Sequence, residues 1–223
     1  MRTSVYIDGF NLYYGSVQGT NLKWLDLVAL CRDLLPPPRN TIERVHYCTA
    51  LVKPTAGDPD SSLRQQMFIR ALETRPEIRV TYGSFLTSTK RMPLAPGTAE
   101  QEADPSLVTL KSRGPRSAFV TKVEEKGSDV NLATLLVADA FRGEFEAAAV
   151  LSTDSDLVLP IQLIREELGL PVGVLFPKGR YSVELDKAAS FKKTISPGHL
   201  RRCQLPDELR DARGVIRKPA RWA

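Results

Sequence analysis

Short apolar, β-branched runs alternate along this chain with longer segments whose apolar residues recur at helical spacing, and that alternation restricts the fold more than any other feature. The runs fall at 4–7, 45–52, 78–85, 118–123, 147–151 and 172–176, and the helical segments at 24–35, 61–74, 129–141 and 157–168. In the last of these, Leu157, Ile161, Ile164 and Leu168 form one stripe, and Pro160 fits only in a first turn, so the helix should begin close to Asp156. Strands joined by helices of this length require right-handed crossovers. The expected architecture is therefore α/β: a three-layer sandwich with a mainly parallel sheet and helices on both faces.

Two stretches break the alternation. Residues 87–116 carry Pro93, Pro96, Pro105 and Pro115 with Gly97 and Gly114 and have no sustained period, so they read as a long excursion, with a short strand expected at 107–110. Residues 197–223 hold seven Lys+Arg against three acids, which is +4 of the chain's net +5, and read as a basic C-terminal tail. Such a tail attracts a polyanion through counterion release, or is simply a solvated terminus. At 223 residues and 42% hydrophobic content, one core is the expectation. Cys31, Cys48 and Cys203 are widely spaced and outside any C-x-x-C pair, which argues against a disulfide framework or a zinc knuckle. No apolar stretch approaches the roughly 18 residues of a membrane span, so a cytoplasmic protein without membrane association is expected.

Ligands of open parallel sheets bind beyond the carboxyl ends of the strands. Asp8 ends the first run, in "SVYIDGFNLYYG"; Asp129 opens a helix, in "KGSDVNLATLL"; Asp154 and Asp156 leave the fifth run, in "VLSTDSDLVLP". Asp129 and Asp156 each have an ordinary reading as helix N-caps. Together, however, four carboxylates on one edge repel one another unless a cation neutralises them. With only His46 and His199 in the chain, hard oxygen ligands favour Mg²⁺ or Mn²⁺ over zinc. A metal site of this kind activates water and shields a phosphodiester, and two ions about 3.5–4 Å apart steady the entering and leaving oxygens. No G-x-x-x-x-G-K or G-x-G-x-x-G supports a P-loop or dinucleotide reading.

The D-G-x-N, G-x-D-V and S-x-D-S-D elements, in this order over most of residues 1–190, resemble the NYN domain, a branch of the PIN-like nucleases related to bacterial DUF88 proteins. The resemblance implies a Rossmann-like, PIN-like fold over residues 1–196, endoribonuclease activity on RNA, and Asp8, Asp129, Asp154 and Asp156 as ligands of Mg²⁺ or Mn²⁺, with Asn11 assisting. It also departs from relatives with paired cysteines in the excursion, since residues 87–116 have none. Ser152 and Thr153 at the strand end and Lys122, Lys126, Lys178 and Arg180 near the same edge are candidate substrate contacts, each with a plain alternative as a turn or a surface charge. Tyr13 and Tyr14 stack on a base or pack the helix. A noncatalytic RNA- or protein-binding module and an aspartyl-phosphate-type phosphohydrolase are the alternatives. The latter usually wants a second acid where Phe10 stands. A partner protein such as an antitoxin, and a homodimer, complete the expectations.

Overall fold

A computed structural model of the chain describes residues 1–93 and 117–222. These fall into two compact units, Met1–Ser84 with Lys126–Ala223, and Phe85–Glu125. The larger unit holds a six-stranded sheet of β1 (Arg2–Asp8), β2 (Thr41–Thr49), β3 (Ile78–Tyr82), β6 (Ala147–Leu151), β7 (Val172–Pro177) and β8 (Phe191–Ile195), in the order β3-β2-β1-β6-β7-β8. All neighbouring pairs are parallel. The fold is a three-layer Rossmann-like sandwich.

Both faces of the sheet are covered, so its strands read as continuous apolar runs. Along β1, Val5 and Ile7 face one layer and Tyr6 the other, and Ala149 and Leu151 of β6 alternate with Ala148 and Val150 in the same way. The first layer is built from α2 (Leu27–Leu34) and α3 (Ser61–Leu72), and the second from α4 (Ser128–Phe141), α5 (Val158–Leu168) and α6 (Val183–Ala188). On α4 the buried stripe is Leu132, Leu136 and Ala140; on α5, with the turn before it, Leu157, Ile161 and Ile164, and Pro160 does fall in the first turn. Each such buried leucine or isoleucine contributes roughly 1.5–3 kcal/mol.

Two of the strand expectations change. The run at 118–123 is not part of the parallel sheet: β5 (Ser117–Lys126) pairs with β4 (Ser84–Pro93) in a separate two-stranded sheet, and Phe119 is 77% exposed. The sixth strand of the main sheet is β8 instead, an edge strand whose Lys192 and Lys193 interrupt the apolar run. Charged residues of this kind keep an edge strand from pairing with other chains. The strand expected at 107–110 lies outside the described residues.

Residues 197–222 are not a detached tail. They form α7 (Pro197–Arg202), a hairpin of β9 (Glu208–Asp211) and β10 (Gly214–Arg217), and a final turn. Leu200, Cys203, Leu205 and Ile216 join the first-layer core, and the Trp24 indole donates to the Pro206 carbonyl at 2.8 Å. Five of the seven basic residues that marked this segment lie in ion pairs, among them Arg202 with Asp33 at 2.8 Å, Arg217 with Glu208 at 3.2 Å and Arg221 with Asp58 at 2.8 Å. Among the described residues, no helix is long and apolar enough to cross a membrane.

Candidate functional site

The order of the sheet places a topological switch point between β1 and β6, where the chain stops adding strands on one side and starts on the other. The carboxyl ends of these two strands meet through one hydrogen-bond network. Asp8, 2% exposed, caps α1 (Gly9–Leu12), its Oδ1 accepting from the Phe10 and Asn11 amides at 3.0 and 2.9 Å. Its Oδ2 accepts from the Asn11 side-chain amide and from the Ser152 hydroxyl, the latter at 3.2 Å. The Asn11 carbonyl oxygen in turn accepts from the Thr153 amide at 3.2 Å and its hydroxyl at 2.6 Å. Ser152 Oγ accepts from the Asp154 amide at 3.1 Å, and Asp154 caps the following turn, accepting from the Asp156 amide at 3.0 Å.

The structure therefore brings Asp8, Asn11, Ser152, Thr153 and Asp154 together. Asp129 sits in the first turn of α4, and its charge and that of Asp8 both reach Cys48; burial, with these charges, pushes that thiol up to about 12. The helix start there is Gly127, with φ at +98°, where any other residue is strained. Asp156 is exposed. Lys178 and Arg180 are exposed on the loop after β7, and Arg180, with Pro177 at the end of β7, lies against Gly15 of the π-helical turn Tyr13–Val17. Lys126 is exposed at the end of β5, while Lys122 belongs to the smaller unit, where it pairs with Glu124 at 2.5 Å.

Beside this network, on the first-layer side of α1, the larger unit contains a cavity of about 420 Å³ at the carboxyl ends of β1 and β2. Its walls are α1, the π-helical turn, the segment after β2, α3 and the final turn at Arg221 and Trp222. Six aromatic side chains line it: Phe10, Tyr13, Tyr14, Tyr47, Phe68 and Trp222. Phe68 sits edge-on to Tyr47 and Trp222, with ring centres 6.3 and 6.1 Å away. Four cations, Lys23, Lys53, Arg64 and Arg221, face a single carboxylate, Asp58. Gly9 is required at the floor: a Cβ there would lie 2.9 Å from the Tyr47 ring and 3.0 Å from the Cys48 carbonyl. Burial pushes the Tyr47 hydroxyl up to about 12, with the charge of Asp8 adding to the shift, so it carries its proton at neutral pH.

Sequence reading missed most of this cavity. Tyr13 and Tyr14 were legible as aromatics near the edge, but Lys23, Tyr47, Asp58, Arg64, Phe68 and Trp222 come from separate segments without a common spacing. The available signal was Tyr47 and Thr49, which end a strand on the ligand-binding edge.

Donor chemistry limits what the acidic edge holds. Both oxygens of Asp8 are engaged by donors of the chain itself, and burial raises its pKa against the opposing pull of the Asn11 and Ser152 hydrogen bonds. Among the described residues, no three His, Cys, Asp or Glu side chains are grouped so as to hold a metal ion. A dinucleotide bound in the Rossmann manner does not fit either. Its pyrophosphate would need the helix N-terminus at the switch point, and there the Asp8 carboxylate already takes the free N–H groups and supplies the negative charge.

A doubly wound parallel sheet with an aromatic, cation-rimmed cavity beyond its strand ends is an architecture of α/β proteins that bind small molecules. The chain is 30% identical over 242 aligned positions to 6-hydroxy-3-succinoylpyridine 3-monooxygenase HspA of Pseudomonas putida, an alignment covering all of this chain and 75% of the relative. It belongs to the family of that monooxygenase. No family model matches the chain. Among solved structures, a protein of unknown function from Vibrio parahaemolyticus is similar with a TM-score of 0.49 and 15% identity, over 88% of this chain and 93% of that one.

This kinship overturns the functional expectation drawn from the acids. A relative named as a monooxygenase points to an oxidoreductase, in conflict with a metal-dependent ribonuclease and with the alternatives of a phosphohydrolase or a noncatalytic module. The Mg²⁺ or Mn²⁺ expected on Asp8, Asp129, Asp154 and Asp156 is corrected with it. In physical terms, the Asp8 carboxylate accepts from two backbone N–H groups, an amide and a hydroxyl, and that of Asp154 from a backbone N–H group.

Proposed function

We propose that this protein is a monooxygenase acting on a small nitrogen-containing aromatic compound, received in the cavity beside α1. The observation that carries the reading is identity at 30% along the whole chain to a relative named for oxygenation of a substituted pyridine. The cavity supports it, since about 420 Å³ lies within the roughly 300–1,000 Å³ of ordinary small-molecule sites and the walls are aromatic. Monooxygenation places one oxygen atom of O₂ on a substrate carbon and releases the other as water, with two electrons and two protons drawn from a reductant. The chain's own contribution is to sandwich the ring between aromatic faces, to exclude water, and to offer the protonated Tyr47 hydroxyl at the floor.

The test supplies the full-length protein with 6-hydroxy-3-succinoylpyridine, isotopically labelled dioxygen and a reduced nicotinamide, with and without free flavin. Product carrying one labelled oxygen atom, with O₂ uptake dependent on the pyridine, is expected. Uptake indifferent to the pyridine, or product without label, would sink the proposal.

A further inference from the structure

The rim of the cavity has a charge arrangement that a neutral ring would not require. Asp58 is fixed in a tight turn, its amide donating to the Thr55 carbonyl at 3.0 Å and its own carbonyl accepting from the Ser61 hydroxyl at 2.9 Å. Its carboxylate receives Arg64 on both oxygens and Arg221 on one, the latter at 2.8 Å. Two guanidiniums offer about ten N–H donors between them, whereas one carboxylate accepts about four hydrogen bonds. Donor capacity and one net positive charge are left over, and Lys23 lies close enough to add its field. Arg64 is held by burial, with 11% of its side chain exposed, while Arg221, 63% exposed, comes from the opposite end of the sequence and meets it across the cavity mouth.

We infer that Arg64 and Arg221, held at fixed separation by Asp58 and assisted by Lys23, form an anion subsite that selects planar aromatic ligands bearing a carboxylate. The ring lies among Phe68, Tyr47 and Trp222, and the carboxylate takes the guanidinium donors that Asp58 leaves over. Asp58 thus organises the arginines without cancelling them. The inference rests on the reading of this cavity as the substrate site, and it concerns binding rather than oxygenation.

Titration calorimetry on the full-length protein separates the two. Three probes are used: 6-hydroxynicotinate, with ring and carboxylate; 2-hydroxypyridine, with the ring alone; and succinate, with carboxylates alone. The aromatic acid is expected to bind at least about tenfold more tightly than either of the others. Arg221→Gln should weaken the aromatic acid by about tenfold and leave 2-hydroxypyridine within about twofold. Lys23→Gln should act in the same direction with a smaller loss, and as a second change at the rim on a different segment it guards against a folding artefact at Arg221. Equal affinity for acid and neutral ring, no binding of any probe, or an unchanged acid affinity in both variants would overturn the inference. Labelled product in the oxygenation test together with any of those results would leave the monooxygenase reading standing and remove the subsite. Selective acid binding without oxygen uptake would do the reverse.

Discussion

Asp139 shows how far a single residue can be read from sequence. Its spacing from Leu132 places it on the inner face of a helix, and His46 falls within a strand, so both are legible as interior groups. That they meet is not legible, since 93 positions separate them and only the sheet's register and the crossing of α4 bring them together. In the fold, the Tyr6 hydroxyl donates to Asp139 Oδ2 at 2.8 Å, His46 Nε2 lies 3.1 Å from the same oxygen, and the Tyr6 and His46 rings stack with centres 4.7 Å apart. Tyr6→Phe leaves this buried carboxylate without its hydroxyl donor. A loss of about 1–3 kcal/mol of stability is expected in urea unfolding at neutral pH, and a change of under about 0.5 kcal/mol would contradict this account.

Among the elements, those with clean apolar periods were readable and those held by charge were not. The strand at β6 and the helix stripes on α4 and α5 follow from spacing alone, whereas β8 and the β9–β10 hairpin alternate with lysines, arginines and acids that hide them. The hairpin owes part of its position to Arg70 of α3, whose guanidinium donates to both oxygens of Asp211, at 2.7 and 2.5 Å. Arg70 pulls the Asp211 carboxyl down to about 2 from an ordinary 3.8. The folded state therefore binds this proton less readily than the unfolded state. Its stabilising effect is complete above 3.8 and is lost as pH falls toward about 2. The difference in thermal midpoint between wild type and Arg70→Gln should accordingly be present at neutral pH and close across that window. A gap that persists at the acid end would show that the pair does not hold the hairpin.

At the level of the whole molecule, the parallel sheet and the edge at which Asp8 and Asp154 emerge were accessible from the strand–helix alternation, because a parallel sheet dictates where its loops emerge. The D-G-x-N and S-x-D-S-D segments do meet at the switch point. Their chemistry was not accessible, since a row of acids in sequence does not reveal that Asp8 and Asp154 find donors within the backbone and side chains beside them. Nor was the role of the last residues, where composition showed charge but not the apolar contacts of Leu200, Leu205 and Ile216. Removing residues 197–223 strips these side chains from the α2 and α3 layer, each representing roughly 1.5–3 kcal/mol of burial. Calorimetry of the truncated chain should show a broad, weakly cooperative transition or none. A sharp transition at the full-length midpoint would mean that the segment is dispensable to the core.

The chain has two tryptophans, Trp24 and Trp222, and their rings lie 6.3 Å apart with Phe68 close to both. All indole emission from this protein therefore originates at one wall of the cavity. A molecule entering there changes the solvent around Trp222 and quenches or shifts that light, so the unlabelled protein carries an optical reporter of its own occupancy.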